Sequence, residues 1–418
     1  MKDNILIISN AALANSDSNG RTLLKLVSDL PDDNLAHFFT YGVPDGKNTI
    51  RSYKISDSDA LKSFIKRQKK DGRFSETIST PVTSGKKRKK TPLRMLAREF
   101  VWKHGCWNNS YFKNWVDEVD PKCIILAVAD NCFLLNIACK IAKERNIPII
   151  VYSTEEYQFK DYNYQTKRFS LLYLLFRKKL VRAYKILAKY VKAGVFNTEA
   201  LADLYFKEYG YECRAIYNTS DIDWLENYRL HKIPRVSYLG NLGLNRHKAL
   251  IEVATAINNI CPGAKLDIYG KLKNDDVKTE LENCPYVSLK GFVPYDEVKK
   301  VMHISDLLIH VEYRDDFYVR DLKYAFSTKI ADSISSGTPL LMYAPVELIE
   351  TDFLIEKKCA FVATNKDGLG EQLKAALTDE KLRKVILRNA LSIRNDLFTA
   401  TGVFKKIVEE VIRESNPD

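Results

Sequence analysis

The sequence lacks an apolar run long enough to cross a membrane. No uninterrupted apolar stretch approaches the ~20 residues of a transmembrane helix. Within the first ten residues, the apolar run at 5–8 is too short for the core of a signal peptide and is typical of a buried β-strand. We therefore expect a cytoplasmic protein, which can still lie peripherally on the inner face of the cell membrane.

The sequence also lacks paired metal ligands. Its eight cysteines form no Cys-x-x-Cys pair, and its six histidines are scattered without the spacing of ligands. Cys123 and Cys139 lie in apolar segments, which indicates buried free thiols in a reducing compartment. We expect neither a metal site nor a resident cofactor.

Acidic residues are scarce between residues 62 and 103. This segment holds fourteen Lys or Arg against three acids, a local charge of +11 in a chain of net charge +12. It is compatible with contact to an anionic membrane surface, with binding of an acidic lipid-linked acceptor, or with a solvated disordered loop. A nucleic-acid site is not favoured, because no DNA- or RNA-binding motif accompanies the charge. A basic and apolar helix predicted at 169–189 favours the membrane or the lipid.

What the sequence has in plenty is an alternation of buried strands and amphipathic helices. The 418 residues, 45% of them hydrophobic, are enough for two or three domains. The alternation runs twice, with a break in composition at 224–234. It predicts two Rossmann-like α/β domains with a central cleft between them, at 1–224 and 235–395. Residues 57–103 form a basic excursion from the first domain.

The most specific stretch is 326–345, which reads FSTKIADSISSGTPLLMYAP. It predicts a loop, a helix, a small-residue turn and a buried strand. Ser327, Thr328 and Lys329 stand at the start of the helix, where free N–H groups and a partial positive charge suit a phosphate. Asp332, one turn on, can accept hydrogen bonds from sugar hydroxyls. These groups suit a nucleotide-sugar diphosphate, although an ordinary α/β unit with a capped helix explains the same pattern.

This stretch resembles the donor-binding signature of bacterial GT-B glycosyltransferases of the retaining family-four group. Members often read Ser-x-Lys-[Ile/Leu]-x-[Glu/Asp], followed by a Gly-x-Pro turn and an apolar strand. Residues 328–332 and 336–341, TKIAD and SGTPLL, match this pattern. Many members carry a Glu-x7-Glu pair, of which Asp332 is the second acid, whereas Tyr324 stands at the place of the first. The resemblance covers nearly the whole second half and, more loosely, the first.

A second signal lies at the first βα junction of the second half. Family members often read Gly-Arg-Leu and then Lys-Gly at the start of the helix, and this Arg and Lys hold the diphosphate. Gly240 and Lys248 match, Asn241 stands at the Arg position, and Arg246 is a candidate for the displaced charge. With Lys329, the resemblance implies two cations that stabilise a nucleoside-diphosphate leaving group without a metal.

Turns and glycines extend the resemblance. Gly270 and Gly291 follow the next two strands, where the family's turns surround the base, although backbone geometry alone explains both. In the first half, a polar loop carries Asn19, Gly20 and Arg21 after the first strand. With a single glycine it is not a Gly-x-Gly-x-x-Gly loop. The corresponding loop of GT-B enzymes faces the acceptor side of the cleft.

Acidic residues follow strands in both halves. Glu312 comes directly before the donor loop and is our preferred catalytic contact for the sugar, whereas Asp315 and Asp316 are typical of solvated loop charges. In the first half, Asp130 and Glu156 follow buried strands and are candidates for a general base or an acceptor clamp. A retaining enzyme needs no strong base, since the departing phosphate can take the acceptor proton.

The resemblance implies a metal-independent hexosyltransferase that moves a sugar from a nucleotide-diphosphate sugar to a glycan or lipid-linked acceptor. A UDP-sugar is the donor we expect. Such transfer serves surface polysaccharide or glycolipid assembly. The resemblance also implies that the tail at 396–418 packs back on the first domain. Two other classes stay open because Tyr324 and Asn241 depart from the pattern: a sugar-nucleotide epimerase of the same shape, and a non-catalytic nucleotide-binding or membrane scaffold protein. The Asp-x-Asp at 221–223 is interpreted as incidental.

Overall fold

The computed structural model describes residues 4–15, 18–45, 50–74, 90–163, 169–226, 228 and 230–415. The chain divides into two compact units, one formed by Met1–Ile216 and Thr401–Asp418, the other by Tyr217–Ala400. The elements before residue 217 are β1 (Ile5–Ile8), α1 (Ser18–Val27), β2 (Leu35–Phe39), β3 (Arg51–Lys54), α2 (Asp57–Ile65), β4 (Arg73–Phe74), α3 (Pro92–His104), α4 (Ser110–Val119), β5 (Cys123–Ala127), α5 (Cys132–Arg145), β6 (Ile149–Ser153), α6 (Leu171–Leu187), β7 (Val191–Phe196), α7 (Glu199–Tyr209) and β8 (Glu212–Ala215). The later elements are β9 (Val236–Leu239), α8 (Arg246–Ile260), β10 (Leu266–Tyr269), α9 (Asp275–Glu282), β11 (Val287–Gly291), α10 (Tyr295–Ile304), β12 (Leu307–Val311), α11 (Asp316–Leu322), α12 (Thr328–Ser335), β13 (Leu340–Tyr343), α13 (Ile349–Lys357), β14 (Phe361–Ala363), α14 (Lys366–Thr378), α15 (Glu380–Ile393) and α16 (Val403–Ser415).

The first unit is built on one sheet with the order β4-β3-β2-β1-β5-β6-β7-β8. All neighbours are parallel except the short edge strand β4, which runs antiparallel to β3. The central strand β1 is buried along its whole length, as its uninterrupted apolar sequence ILII requires of a strand covered on both faces. This sheet and its helices form the first α/β unit.

The last helix, α16, belongs to the first unit. Phe404, Ile407 and Val411 on its apolar face are buried in the same core as Ile5 and Ile125 of the sheet. A hydrogen bond at 2.5 Å from the backbone N–H of Gly402 to the Asp29 carboxylate holds the chain just before the start of this helix. The apolar face of this amphipathic helix therefore covers the sheet of the first unit.

The second unit has an all-parallel sheet with the order β11-β10-β9-β12-β13-β14. From β9 the sheet grows outwards through β10 on one side and through β12 on the other. Such a reversal of strand order opens a crevice at the carboxyl ends of the two central strands, where ligands of α/β proteins bind. The turns after β9 and β12 therefore border this crevice.

Two predictions about chain organisation need correction. The boundary predicted at 224–234 falls inside the second unit, because Tyr217 and Ile222 are already buried in its core. The loop predicted through residue 22 is shorter than expected, because α1 begins at Ser18 and so takes Asn19, Gly20 and Arg21 into its first turn. A side chain on Gly20 would place its Cβ 2.2 Å from the Ala12 carbonyl oxygen, so the helix can start there only with glycine.

The basic excursion is partly structured. It carries α2, whose start is fixed by reciprocal bonds between Ser56 and Asp59, and the helix α3, which begins at Pro92 after the cap Thr91. Residues 75–89, which include the most basic run, lie outside the described residues. Within the described ranges, no helix combines the length and the apolar character needed to cross a membrane.

Candidate functional site

The second unit gathers charged side chains at the carboxyl ends of its central strands. Gly240 and Asn241 directly follow β9, and Glu312 directly follows β12. Two helices begin at the same edge, α8 with Arg246 and α12 with Thr328. The sheet topology therefore brings together residues that the sequence places in two separate motifs.

A buried ion pair joins these two motifs. The Nε of Arg246 donates to both carboxylate oxygens of Glu312, at 3.0 and 2.9 Å, and its Nη2 donates to Oε1. Its Nη1 donates to the side-chain oxygen of Asn241 at 2.7 Å. Burial alone would raise the pKa of Glu312, but the charges of His310 and Arg246 hold this pKa below its usual value. Both carboxylate oxygens of Glu312 therefore accept hydrogen bonds from Arg246.

Two further titratable groups, His310 and Glu350, lie beside this pair. His310 and Glu350 are both buried. The Nε2 of His310 lies 3.7 Å from Glu312 and 3.6 Å from Glu350, distances that leave electrostatic attraction rather than a hydrogen bond. Burial works against a charged imidazole, but the two carboxylates outweigh it and raise the pKa of His310. His310 stands two residues before Glu312 on β12, whereas Glu350 comes from α13, which only folding brings close.

The ligand atoms of His310, Glu312 and Glu350 lie within 4.8 Å of one another, a spacing that could hold a metal ion. The oxygens of Glu312 are already bonded to Arg246, and one oxygen of Glu350 accepts from the backbone N–H of Ser327 at 3.0 Å. A guanidinium so close to the shared carboxylate repels a cation. The arrangement is that of a charge-balanced network.

Lys329 is a further charged residue beside this network, and its side chain is largely shielded from water. Within the described residues, no oxygen lies within ion-pair or hydrogen-bond distance of its ammonium. Burial first, and then the positive charge of Arg246, lower the pKa of Lys329 from 10.5 to about 8. A cation that is both shielded from water and unpaired in its own protein is poised to meet an anion.

Gly240 makes room for that lysine. A Cβ on Gly240 would lie 2.9 Å from the Nζ of Lys329 and 2.8 Å from the hydroxyl of Tyr238. Gly270 in turn makes room for Gly240, because its own Cβ would lie 1.8 Å from the Gly240 carbonyl oxygen. Close contact with side chains therefore explains Gly240 and close backbone approach explains Gly270, whereas Gly291 adopts a left-handed conformation with φ of 80°.

The start of α12 only partly matches the prediction. The N–H of Ser327 was expected to face a phosphate, but it donates to Glu350. The next two amides, those of Thr328 and Lys329, have no acceptor among the described residues. Free amides in the first turn of a helix bind anions. Of the three amides that the sequence predicted to be free, those of Thr328 and Lys329 are therefore available and that of Ser327 is not.

Asp332 lies on α12 one turn after Lys329. Its Oδ1 accepts hydrogen bonds from the Ser220 hydroxyl at 2.7 Å and from the Tyr295 hydroxyl at 3.2 Å. Tyr295 also donates to Asp221 at 2.9 Å, and Lys299 pairs with the same carboxylate at 2.8 Å. Asp221 of the Asp-x-Asp sequence is therefore bonded to an amine and a phenol.

Lys248 stands on the first turn of α8. Its side chain is exposed, and its ammonium lies 5.7 Å from the ring centroid of Tyr313. The neighbouring His247 is buried and pairs with Glu280 at 3.1 Å. Lys248 is the second predicted donor-site cation, and among the described residues it forms no ion pair.

The acids predicted in the first unit are both buried and both close to lysine. Asp130, directly before α5, accepts bonds from the Lys90 ammonium at 2.9 and 3.1 Å. Glu156 lies 3.6 Å from the ammonium of Lys160, which also contacts Glu155 at 3.4 Å. Both carboxylates thus lie at the carboxyl edge of their sheet, after β5 and β6.

Comparison with known proteins agrees with this architecture. Residues 230–392 match the sequence model of the family described as glycosyl transferases group 1. Among solved structures, a glycosyltransferase of Rickettsia africae superposes with a TM-score of 0.65 at 12% identity, covering 99% of this chain and 98% of that one. HepE of Anabaena, solved in complex with UDP, gives 0.62 at 12% identity, covering 98% and 99%. WaaG, a glycosyltransferase involved in lipopolysaccharide biosynthesis, gives 0.55 at 14% identity, covering 99% and 100%.

At such identities these likenesses establish the fold, and they confirm the predicted GT-B architecture. The family match falls on the unit that holds Lys329, Arg246 and Glu312. No curated protein matches the sequence significantly.

Proposed function

We propose that the chain is a glycosyltransferase that transfers a hexose from a nucleoside-diphosphate sugar to a glycan or lipid-linked acceptor. The match of residues 230–392 to the model of glycosyl transferases group 1 and the GT-B fold support this proposal. The acceptor class is that of surface polysaccharide or glycolipid assembly. Support for this class comes from the fold shared with WaaG, which is involved in lipopolysaccharide biosynthesis. A UDP-sugar is the proposed donor, since HepE shares the fold and was solved with UDP.

The observation that carries this proposal is the unpaired ammonium of Lys329. It belongs to the same helix start as the amides of Thr328 and Lys329, which have no acceptor among the described residues. Burial and the charge of Arg246 lower its pKa more than Glu312 and Glu350 raise it. A diphosphate supplies the missing negative charge and accepts from the amides at the same time. Lys248, at the start of α8, provides the second cation of the proposed donor site.

In the proposed reaction, the bond between the anomeric carbon and the diphosphate oxygen breaks and a bond to the acceptor oxygen forms. Negative charge grows on the departing diphosphate, and Lys329 stabilises it most in the transition state. With retention of configuration, the departing phosphate oxygen takes the acceptor proton. The site would then need no metal ion to balance the charge.

The other predicted residues take supporting roles in this proposal. Asp332 binds the ribose of the donor through its carboxylate. Glu312 acts through Arg246, because the pair fixes the turn after β9 on which Gly240 and Asn241 lie. Asp130 and Glu156 remain our proposals for contacts to the acceptor, and the first turn of α1 at Asn19–Arg21 is proposed to lie near it.

The cellular position is also a proposal. We propose a cytoplasmic protein that contacts the anionic inner face of the membrane through the basic segment at 62–103. Electrostatic attraction of about 1 kcal/mol for each lysine or arginine near the surface supports such contact.

Calorimetric titration with UDP, GDP and ADP tests the donor site. We expect micromolar binding of one nucleotide, UDP foremost, and a loss of at least tenfold in Lys329→Ala, since one charged phosphate contact contributes about 1.4 kcal/mol. The matched control is Lys374→Ala, an exposed lysine on α14 of the same unit, which should bind like the wild type. Absence of binding to all three nucleotides would contradict the proposal.

A further inference from the structure

A deep groove in the helical layer of the first unit has no part in the proposed reaction. It encloses about 920 Å³ and is lined by residues of α3, α4, α5 and α6. Along α5 it extends from Cys132 to Arg145, the whole length of that helix, which is ~21 Å at 1.5 Å per residue. This volume lies within the range of small-molecule binding sites, roughly 300–1,000 Å³.

Part of the wall of the groove is apolar and aromatic. Trp102 and Phe133 stack with their ring centroids 4.1 Å apart, and Trp107 packs edge-on against Phe112 at 5.5 Å. Further along, the lining consists of aliphatic side chains such as Ile137 of α5. These rings and aliphatic side chains offer contacts that suit a hydrocarbon chain, and Glu99, Asn108 and Asn136 add polar groups to the lining.

The rim of the groove is positively charged in excess. Lys140 pairs with Glu144, and Arg145 pairs with Asp117, so these four charges balance one another. Four other lining cations have no ion-pair partner among the described residues: Lys103, Lys113, Lys179 and Arg182. A phosphate group complements such a rim.

Two of the helices that line the groove, α3 and α6, also expose large apolar side chains to solvent. On α3, Leu93 and Phe100 are 63% and 53% exposed, and Phe100 itself lines the groove. The start of α6 adds an exposed row of large apolar side chains: Phe169, Leu171, Leu172, Leu174 and Leu175. An exposed apolar patch beside lysines and arginines is typical of helices that lie in a membrane interface.

We propose that this groove binds one molecule of an anionic phospholipid. One acyl chain would lie between α5 and the flanking helices, and the phosphate would be held by the unpaired cations, among them Lys179 and Arg182, which stand three residues apart on one face of α6. The exposed leucines at the start of α6 would face the bilayer from which the lipid comes. This inference goes beyond the proposed sugar transfer and does not depend on it.

Binding of a monomeric probe tests the groove separately from adsorption to a bilayer. The probe is dihexanoyl-phosphatidylglycerol below its micelle concentration, compared with dihexanoyl-phosphatidylcholine and with inorganic phosphate. We expect saturable binding of the phosphatidylglycerol at least fivefold tighter than that of either comparison ligand. A brominated analogue should quench tryptophan fluorescence, because Trp102 and Trp107 line the groove.

Two neighbouring lysines on α6 provide a matched pair of variants. Lys179 lines the groove, whereas Lys178 is equally exposed on the same helix but does not. Lys179→Glu should weaken binding of the phosphatidylglycerol at least fivefold, and Lys178→Glu, with the same change in net charge, should leave it within twofold. Lys329→Ala should bind the lipid like the wild type even though it loses nucleotide.

Several results would overturn the proposal. Equal losses in the two α6 variants would show general attraction of anions to the helix. Equal binding of inorganic phosphate would show an anion site without a chain, and equal binding of phosphatidylcholine would show a neutral apolar pocket. Binding to vesicles with no binding of the monomeric probe would assign the surface to a bilayer or to another partner and leave the groove without its lipid.

Discussion

The guanidinium of Arg246 and the carboxylate of Glu312 form a buried pair in which Nε alone contacts both oxygens, at 3.0 and 2.9 Å. The two residues are 66 positions apart in sequence. Arg246 begins α8 at the end of the turn after β9, and Glu312 opens the turn after the neighbouring strand β12. The side-chain oxygen of Asn241 takes a further bond from the same guanidinium. The pair therefore ties together the two loops on which the proposed donor site depends.

The first prediction concerns the stability of this pair. Glu312→Leu should lower the free energy of unfolding by about 3–5 kcal/mol, because it leaves the charge of Arg246 buried without its partner. Arg246→Met should cost a similar amount for the converse reason. The double variant should lose clearly less than the sum of the two. Urea denaturation of the four proteins gives the coupling energy, and additive losses would show that the pair does not interact in solution.

The second prediction concerns the pH dependence of nucleotide binding. The pKa of Lys329 is lowered to about 8, so its ammonium is charged below this pH and neutral above it. A diphosphate prefers the charged form, so affinity should be greatest below pH 8 and fall by up to tenfold for each pH unit above it. Calorimetry between pH 7 and 10 lies above the ~6 pKa of the phosphate itself and measures this decline directly.

Two variants separate Lys329 from other titrating groups. Lys329→Arg keeps its charge across this range and should give a flat profile, and Lys329→Ala should be flat and weak. A wild-type affinity that does not change between pH 7 and 10 would count against a role for this ammonium.

The third prediction concerns Glu99, which lines the floor of the groove. Burial raises the pKa of Glu99 from 4.5 to about 7, partly offset by the N–H of Cys132, which donates to it at 2.8 Å. The folded protein thus keeps a proton that the unfolded chain has already released. The associated stability is fully present below pH 4.5 and is lost as the pH rises to about 7.

Glu99→Gln should remove this dependence. Relative to the wild type, the variant should become more stable between pH 5 and 8 by an amount of the order of 2 kcal/mol. Urea denaturation at the two pH values measures the difference. The same change with pH in both proteins would show that Glu99 titrates normally.

The fourth prediction tests the close approach of two backbone segments in the site. Gly270→Ala places a Cβ 1.8 Å from the Gly240 carbonyl oxygen and should destabilise the protein by at least ~2 kcal/mol. Gly370→Ala is the control, because this glycine lies inside α14 with nothing near its Cβ position. It should stabilise the protein by about 0.5–1 kcal/mol. Thermal denaturation of both variants decides the point, and equal effects would refute the close approach.

Much of the second unit could be predicted from local pattern. The helix and the strand predicted within 326–345 are both present, as α12 and β13, because a Gly-Thr-Pro turn separates the helix from an apolar run. The polar strand β3, with the sequence RSYK, was missed because it has no apolar run and is recognised only by its partner β2. Local signals thus identified the elements that carry their own periodicity.

Contacts between distant residues could not be predicted. Glu350 accepts a hydrogen bond from the backbone N–H of Ser327, which lies 23 residues earlier in the sequence. The sequence around Glu350 carries no motif that distinguishes it from other acidic residues at the start of a helix. The unit boundary was misplaced for the same reason, since only packing shows that Tyr217 and Ile222 belong to the second core.

The sequence by itself determined the α/β alternation and the helix start at 328 with its lysine, because hydrophobic period and turn residues act over a few positions. Its resemblance to a known family added the expectation of a GT-B fold. Only the tertiary structure decided that Glu312 neutralises Arg246 and that, among the described residues, the buried ammonium of Lys329 forms no ion pair. The physical reason is that charge balance in a buried site depends on distances between residues far apart in the chain, and folding sets those distances.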